Sequence, residues 1–225
     1  MTTAVRFALV VGMLLLVAAT RSAPVAAATA CPPPVTAREI FEQLPSSIFD
    51  TTAEGLLDEE KKRLLETGQC EFWEIAGETD DVIAFRALPF RDSAVALRLF
   101  RNEDTGEILA AIGTLGVPLC ALELWKRDLS GRIVPADTPE EPDINEFFDR
   151  NAPRPKDVTG SVLPCLGLGG LKAHVVFWGP TGMVHLPVAR DIGWHWTGRS
   201  FEKIVRPHAP LEGPTLENPP VIPGG

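Results

Sequence analysis

Residues 70–128 read CEFWEIAGETDDVIAFRALPFRDSAVALRLFRNEDTGEILAAIGTLGVPLCALELWKRD, and their reading decides the fold. Five short apolar runs, CEFWEIA, DVIAFRALPF, SAVALRLF, EILAAIGTL and CALELWKRD, are separated by a few turn-forming or charged residues. Apolar and polar residues alternate within them: Val95, Leu97 and Leu99 fall on one face against Arg98, and Cys120, Leu122 and Leu124 oppose Glu123 and Arg127. The pattern predicts one core face and one face at least partly wet. Links this short cannot form parallel crossovers, so the strands should make an antiparallel meander. Asn102–Gly106 and Asp128–Gly131 carry the Asn or Asp plus Gly that hairpin turns require.

Upstream, Thr36 with Glu39 three residues on predicts a capping box, and Ile40, Phe41 and Leu44 give that helix its apolar stripe before Pro45. A second helix is expected across LLDEEKKRLLETG, with Gly68 as its C-cap. The first thirty residues differ from the rest. A lone Arg6 precedes an apolar run from Ala8 to Ala19, followed by Ala-rich sequence to Ala30, the pattern of a secretory signal peptide. The run is shorter than the ~20 residues of a membrane span. Residues 1–30 are therefore set aside, and Cys31 falls at or near the mature amino terminus. A lipid anchor at Cys31 is the minor alternative, since Ala28 stands where a lipoprotein signal carries a large aliphatic residue.

Without the signal the chain keeps 19 basic and 30 acidic residues, a net charge of about −11, which speaks against nucleic acid as a partner. No transmembrane segment is expected in the mature chain. All four cysteines lie in the exported part, and an even count in an oxidising compartment predicts two disulfides. Of three pairings, Cys31–Cys70 and Cys120–Cys165 are preferred. The first would clip the helical segment to the first strand, and the second would tie the first β-group to the second. Spacings without a Cys-x-x-Cys pair argue against a cysteine metal site.

Residues 136–157 change to prolines and acids, a connector and a candidate lobe boundary. Within it Asp143 and Glu146 can cap a brief helix whose Phe147 and Phe148 need burial. A second β-group follows as SVLPCLGL, LKAHVVFWG, MVHLPVA, GWHWTG and FEKIVRP. The residues from 207 to 225 read as a disordered proline-rich tail. The fold class expected is α+β: two short N-terminal helices packed on a twisted, mainly antiparallel β-meander, an open barrel or two-group sheet. A single domain is expected over residues 31–206.

TAREIFEQLP, GTLGVPLCALELW and PDINEFF occur in an order that resembles a family of small exported bacterial proteins of unknown function. The resemblance covers residues 36 to about 150 and carries no catalytic motif. It implies export to the periplasm or beyond and nothing about chemistry.

Three of the four histidines, His174, His185 and His195, fall on consecutive predicted strands. A hairpin turn at Gly179–Gly182 would put His174 and His185 on one face. With His195 or Asp191 they are the candidates for a zinc or copper site, and for the alternative function of a metal-binding protein or metal-dependent hydrolase. Nucleophilic chemistry has no support: Gly-x-Ser-x-Gly is absent, and Asp104-Thr105-Gly106 lacks the apolar flanks and second carboxylate of an aspartic protease. Gly167, Gly169 and Gly170 do not make a dinucleotide fingerprint. Glu140 and Glu141 read as a solvated loop. Trp178, Trp194 and Trp196 cluster in the same strands as the histidines, and Trp194 and Trp196 share a face. An exposed pair of that kind would stack on a sugar or grip a partner's apolar side chain. The tryptophan and histidine readings compete for the one face open to solvent. The first functional expectation is a non-catalytic exported binding or structural protein without a cofactor, acting on an unknown ligand or envelope protein.

Overall fold

The structure is a computed structural model and describes residues 35–88, 93–115, 119–149, 156–167 and 170–208. The expected signal peptide, Cys31 and the expected tail from residue 209 on lie outside them, whereas the first two residues of that tail are ordered: Pro207 pairs with Arg190 in a strand ladder, and the His208 N–H donates to the Ala189 carbonyl (2.9 Å). Two α-helices, α1 (Ala37–Gln43) and α2 (Asp58–Thr67), precede the first strand, with a 3-10 turn at Ser46–Phe49 between them. Thr36 and Glu39 close a reciprocal capping box on α1: the Thr36 hydroxyl accepts from the Glu39 N–H, and the Glu39 carboxylate accepts from the Thr36 N–H. Gly68 ends α2 at φ 81°, a left-handed conformation that glycine adopts without a Cβ penalty.

The first sheet is a six-stranded antiparallel meander in chain order: β1 (Trp73–Glu78), β2 (Val82–Ala87), β3 (Ala94–Arg101), β4 (Ile108–Leu115), β5 (Cys120–Arg127) and β6 (Ile133–Ala136). The second contains β7 (Thr159–Gly167), β8 (Gly170–Gly179), β10 (Arg190–Trp196) and β11 (Phe201–Pro207) in the order β11-β10-β8-β7, with the short β9 (Gly182–Val184) paired to β8. All the pairings are antiparallel, and neither sheet closes on itself.

Alternation turns Val95, Leu97, Leu99, Ala110 and Ile112 to one side of the first sheet, where they bury against Ile40, Phe41 and Leu44 of the α1 segment and Leu64 of α2. Phe41, Phe49, Phe85 and Trp73 form the aromatic centre of this core, with Phe49 edge-on to Trp73 at 4.8 Å. One face of this sheet was expected to be partly wet, yet the face away from the helices carries Phe100, Ala111, Leu122 and Leu124. It is instead covered by Leu171, Trp194, Trp196 and Leu166 of the second sheet. The first sheet is thus the middle of three layers. Alternation specifies which residues share a face; a cover for that face comes from a segment more than forty residues away in sequence.

Three devices join the sheets. Gly113 of β4 lets β7 come close: a Cβ there would lie 2.4 Å from the Cβ of Leu166. Cys120 and Cys165 form the expected disulfide, their Cα atoms 5.6 Å apart. At the far end the β3–β4 hairpin docks on the β10–β11 hairpin. There the Trp196 indole donates to the Arg101 carbonyl (3.0 Å), the Glu103 N–H donates to the Gly198 carbonyl (2.9 Å), and Arg199 pairs with Asp104. Cys70 is buried and has no disulfide among the described residues, its expected partner Cys31 lying outside them.

Candidate functional site: a tryptophan-floored acidic cleft

The inner face of the second sheet has two covers. At one end Leu171 and Trp194 pack on the first sheet; at the other Ile192, Val162 and Phe177 pack under the connector through Phe147, Phe148 and Ile144. The connector's residues 144–147 form a 3-10 turn. The Asp143 carboxylate accepts from the Asn145 N–H (2.7 Å), and the Glu146 carboxylate accepts from the Asp143 N–H (3.0 Å). Arg190 of β10 then holds the turn in place, donating to the carbonyls of Glu146 and Phe148, each at 3.0 Å.

Between the two covers a cleft of about 680 Å³ is left open. Its floor is Trp194 with Phe201 and Lys203 of the neighbouring edge strand, Lys203 directly opposite Trp194 in the register. Its wall is the connector, contributing Pro139, Glu140, Glu141, Asp143 and Glu146. A smaller hollow of about 240 Å³ shares Trp194, Pro139, Glu140 and Glu141 and runs on to Val162 and Pro164 of β7. The groove therefore crosses the sheet from the β11 edge to the β7 edge, a width of about 14 Å for four strands.

Lys203 Nζ donates to both Glu146 oxygens, at 2.7 and 2.6 Å. These bonds hold the Glu146 carboxyl below its ordinary value, so it remains ionised and the ammonium is already spoken for. Glu140 and Glu141 are exposed, with no hydrogen bond or ion pair among the described residues. Among the described residues that line it, four carboxylates stand against one ammonium, so this lining is negative.

Trp194 and Trp196 do share a face, but it is the packed one, and they do not form an exposed pair. Trp194 is only 6% exposed, and half-buried Trp196 packs its ring on Phe100 and Phe201 (centroids 5.6 and 5.0 Å). Trp178 lies on the opposite face, exposed and paired across the strands with Met183. Of the two competing sets, the histidines have the solvent: pairing of Ile192 with Ala173 and Trp194 with Leu171 turns those four inward and His174 and His195 outward. His185 is exposed just past the end of β9, which stops at Val184. Among the described residues no three His, Cys, Asp or Glu side chains gather as a metal-holding group, and Asp191 instead meets His208, with Oδ1 and Nδ1 2.8 Å apart.

Sequence reading passed over Glu140 and Glu141 as cleft residues. The available signal was their position three and four residues before a capped turn whose Phe147 and Phe148 must bury, which pins the acids to the surface beside that burial site. No helix of the described residues is long and apolar enough to cross a membrane. Comparison with protein-family models, curated proteins and solved structures finds no match for the chain.

Proposed function

We propose that the protein is an exported, non-catalytic binding or structural component of the cell envelope or its surroundings, and that the cleft over Trp194 is where it takes its ligand. The observation that carries this reading is the cleft itself: a groove floored by an aromatic ring and walled by a connector that Arg190 and the buried Phe147 and Phe148 fix to the sheet. Pre-formed concave sites with an aromatic floor and a few polar groups are the usual form of a ligand site. Export is supported by the Cys120–Cys165 bridge, since structural disulfides persist in oxidising compartments. The resemblance of residues 36–150 to small exported bacterial proteins points the same way.

Two experiments test the proposal. Tryptophan emission of the mature protein is followed against a panel of oligosaccharides and short peptides, in parallel with Trp194→Ala. A ligand-dependent change in the wild type that is lost in the variant supports the site; a change of equal size in both would move the site elsewhere. Expression of the full chain with cell fractionation and intact mass should give a product outside the cytoplasm that lacks the first thirty residues. An uncleaved cytoplasmic product would remove export from the reading.

A further inference from the structure

We propose that the ligand of this cleft is an extended cationic peptide segment, the lysine- or arginine-bearing stretch of a partner protein, and that Trp194 accepts its backbone through the indole N–H. The inference rests on the cleft being the binding site and adds what the site selects.

Two independent features support it. The first is charge: among the described residues, Glu140 and Glu141 stand at the groove without a partner, while the one cation that lines it, Lys203, is bonded to Glu146. Their charge is unspent, and a cation is what would satisfy it. The second is Trp194. The indoles of Trp73, Trp125 and Trp196 each donate to a protein oxygen, at 2.7, 3.1 and 3.0 Å. Trp194, though more than nine-tenths buried, has no acceptor for its N–H among the described residues. Nor is that nitrogen among the sealed, unpaired atoms of the interior. Trp194 lines both hollows of the cleft, and its N–H would take its acceptor from a group that enters there.

A ligand that answers both needs cations and an acceptor. Protonated polyamines carry only donors, whereas a peptide carries carbonyls at regular intervals between its side chains. The groove's width of about 14 Å accommodates four residues of extended chain at about 3.4 Å each. Val162 at one end and Phe201 at the other supply apolar contact for the side-chain stems of lysine or arginine.

The test uses the mature, disulfide-bonded protein and acetyl-Lys-Gly-Lys-Gly-Lys-amide, titrated by calorimetry and tryptophan emission. Comparison probes are the Glu counterpart of that peptide, spermidine and a glucosamine trimer. The lysine peptide should bind, and its affinity should fall as salt rises. Glu140→Gln with Glu141→Gln, at exposed positions with no hydrogen bond or ion pair among the described residues, should weaken it about tenfold. Trp194→Phe, which keeps the ring and removes the donor, should weaken it about three- to tenfold. Spermidine should bind at least tenfold more weakly than the peptide. Unchanged affinity in the double glutamine variant, or spermidine or the glucosamine trimer binding as tightly as the peptide, would overturn the proposal. Binding of a neutral or acidic probe that Trp194→Ala abolishes would also overturn it while leaving the cleft as a binding site. Silence from every probe, basic peptide included, would remove both readings.

Discussion

Opening the Cys120–Cys165 bridge should cost this protein about 4 kcal/mol of stability, and the number follows from its place in the chain. The bridged residues are 45 apart, and closing a loop of that length in the unfolded chain removes about 13 cal/mol/K of entropy, or about 4 kcal/mol at 25 °C. The bridge joins β5 of one sheet to β7 of the other, the two elements whose chain connection includes the whole acidic connector. Without it the unfolded ensemble gains the freedom of that loop, while the folded sheets retain the Trp196–Arg101 bond and the packing on Gly113. The assay is urea unfolding followed by tryptophan emission, with and without reductant. Taking a slope near 2 kcal/mol/M, the midpoint should fall by about 2 M on reduction. Cys120→Ser with Cys165→Ser provides the control and should start at the lowered midpoint. Any further fall of this variant in reductant reports a second bridge, the expected Cys31–Cys70. A reduction shift under about 0.5 M, in protein whose peptide map shows the Cys120–Cys165 linkage, would refute loop entropy as what the bridge contributes.

Four further outcomes are expected. Gly113→Ala should destabilise by about 1–3 kcal/mol in the same urea assay, because the new Cβ meets the Cβ of Leu166 rather than a movable side-chain end. Gly77→Ala on edge strand β1, where a Cβ meets nothing within 4 Å, should be neutral or mildly stabilising; equal losses at the two sites would contradict the close approach of the sheets. Lys61→Met should cost about 1–3 kcal/mol, since the buried Lys61 ammonium donates to the carbonyls of Glu42 and Leu44 at the end of α1 and sits 4.9 Å from the centre of the Phe41 ring; an unchanged midpoint would show those carbonyls find water instead. The Asp128 carboxyl, held down to about 2 first by the Ser130 hydroxyl and then by the Arg132 N–H, should titrate near that value by NMR and move up in Ser130→Ala. Its folded value lies below the unfolded one, so its contribution is complete above about pH 4 and is lost as pH falls toward 2. A titration at the ordinary carboxylate value would show that the turn does not hold.

Legibility ran out at one kind of question throughout. Strand positions and turns could be read because local chemistry decides them: Asp128 and Gly131 can be placed in a tight turn by their own side chains and backbone freedom, whatever packs nearby. The shared face of Trp194 and Trp196 was equally legible, because alternation is a property of the extended chain. Whether that face met water was not, since a tryptophan face suits a ligand platform and a core alike. Leu122 and Leu124 were legible as core residues, but not that a second sheet would be what covers them. The cleft was less visible still. Glu140 and Glu141 had the look of any solvated acid pair, and what sets them apart is that, among the described residues, they have no partner once Glu146 has taken Lys203.

By itself, then, the sequence determined the antiparallel meander, the capping box on α1, the register of the Gly179–Gly182 hairpin, and a buried destination for Phe147 and Phe148. Each is fixed by forces acting over a few residues. Tertiary structure alone decided that the first sheet is buried on both faces, that the histidines rather than Trp194 and Trp196 meet solvent, and that a connector of prolines and acids becomes the wall of a cleft. Those outcomes depend on which surfaces separated by forty or more residues find each other, and the free energy of burying apolar area is indifferent to sequence distance.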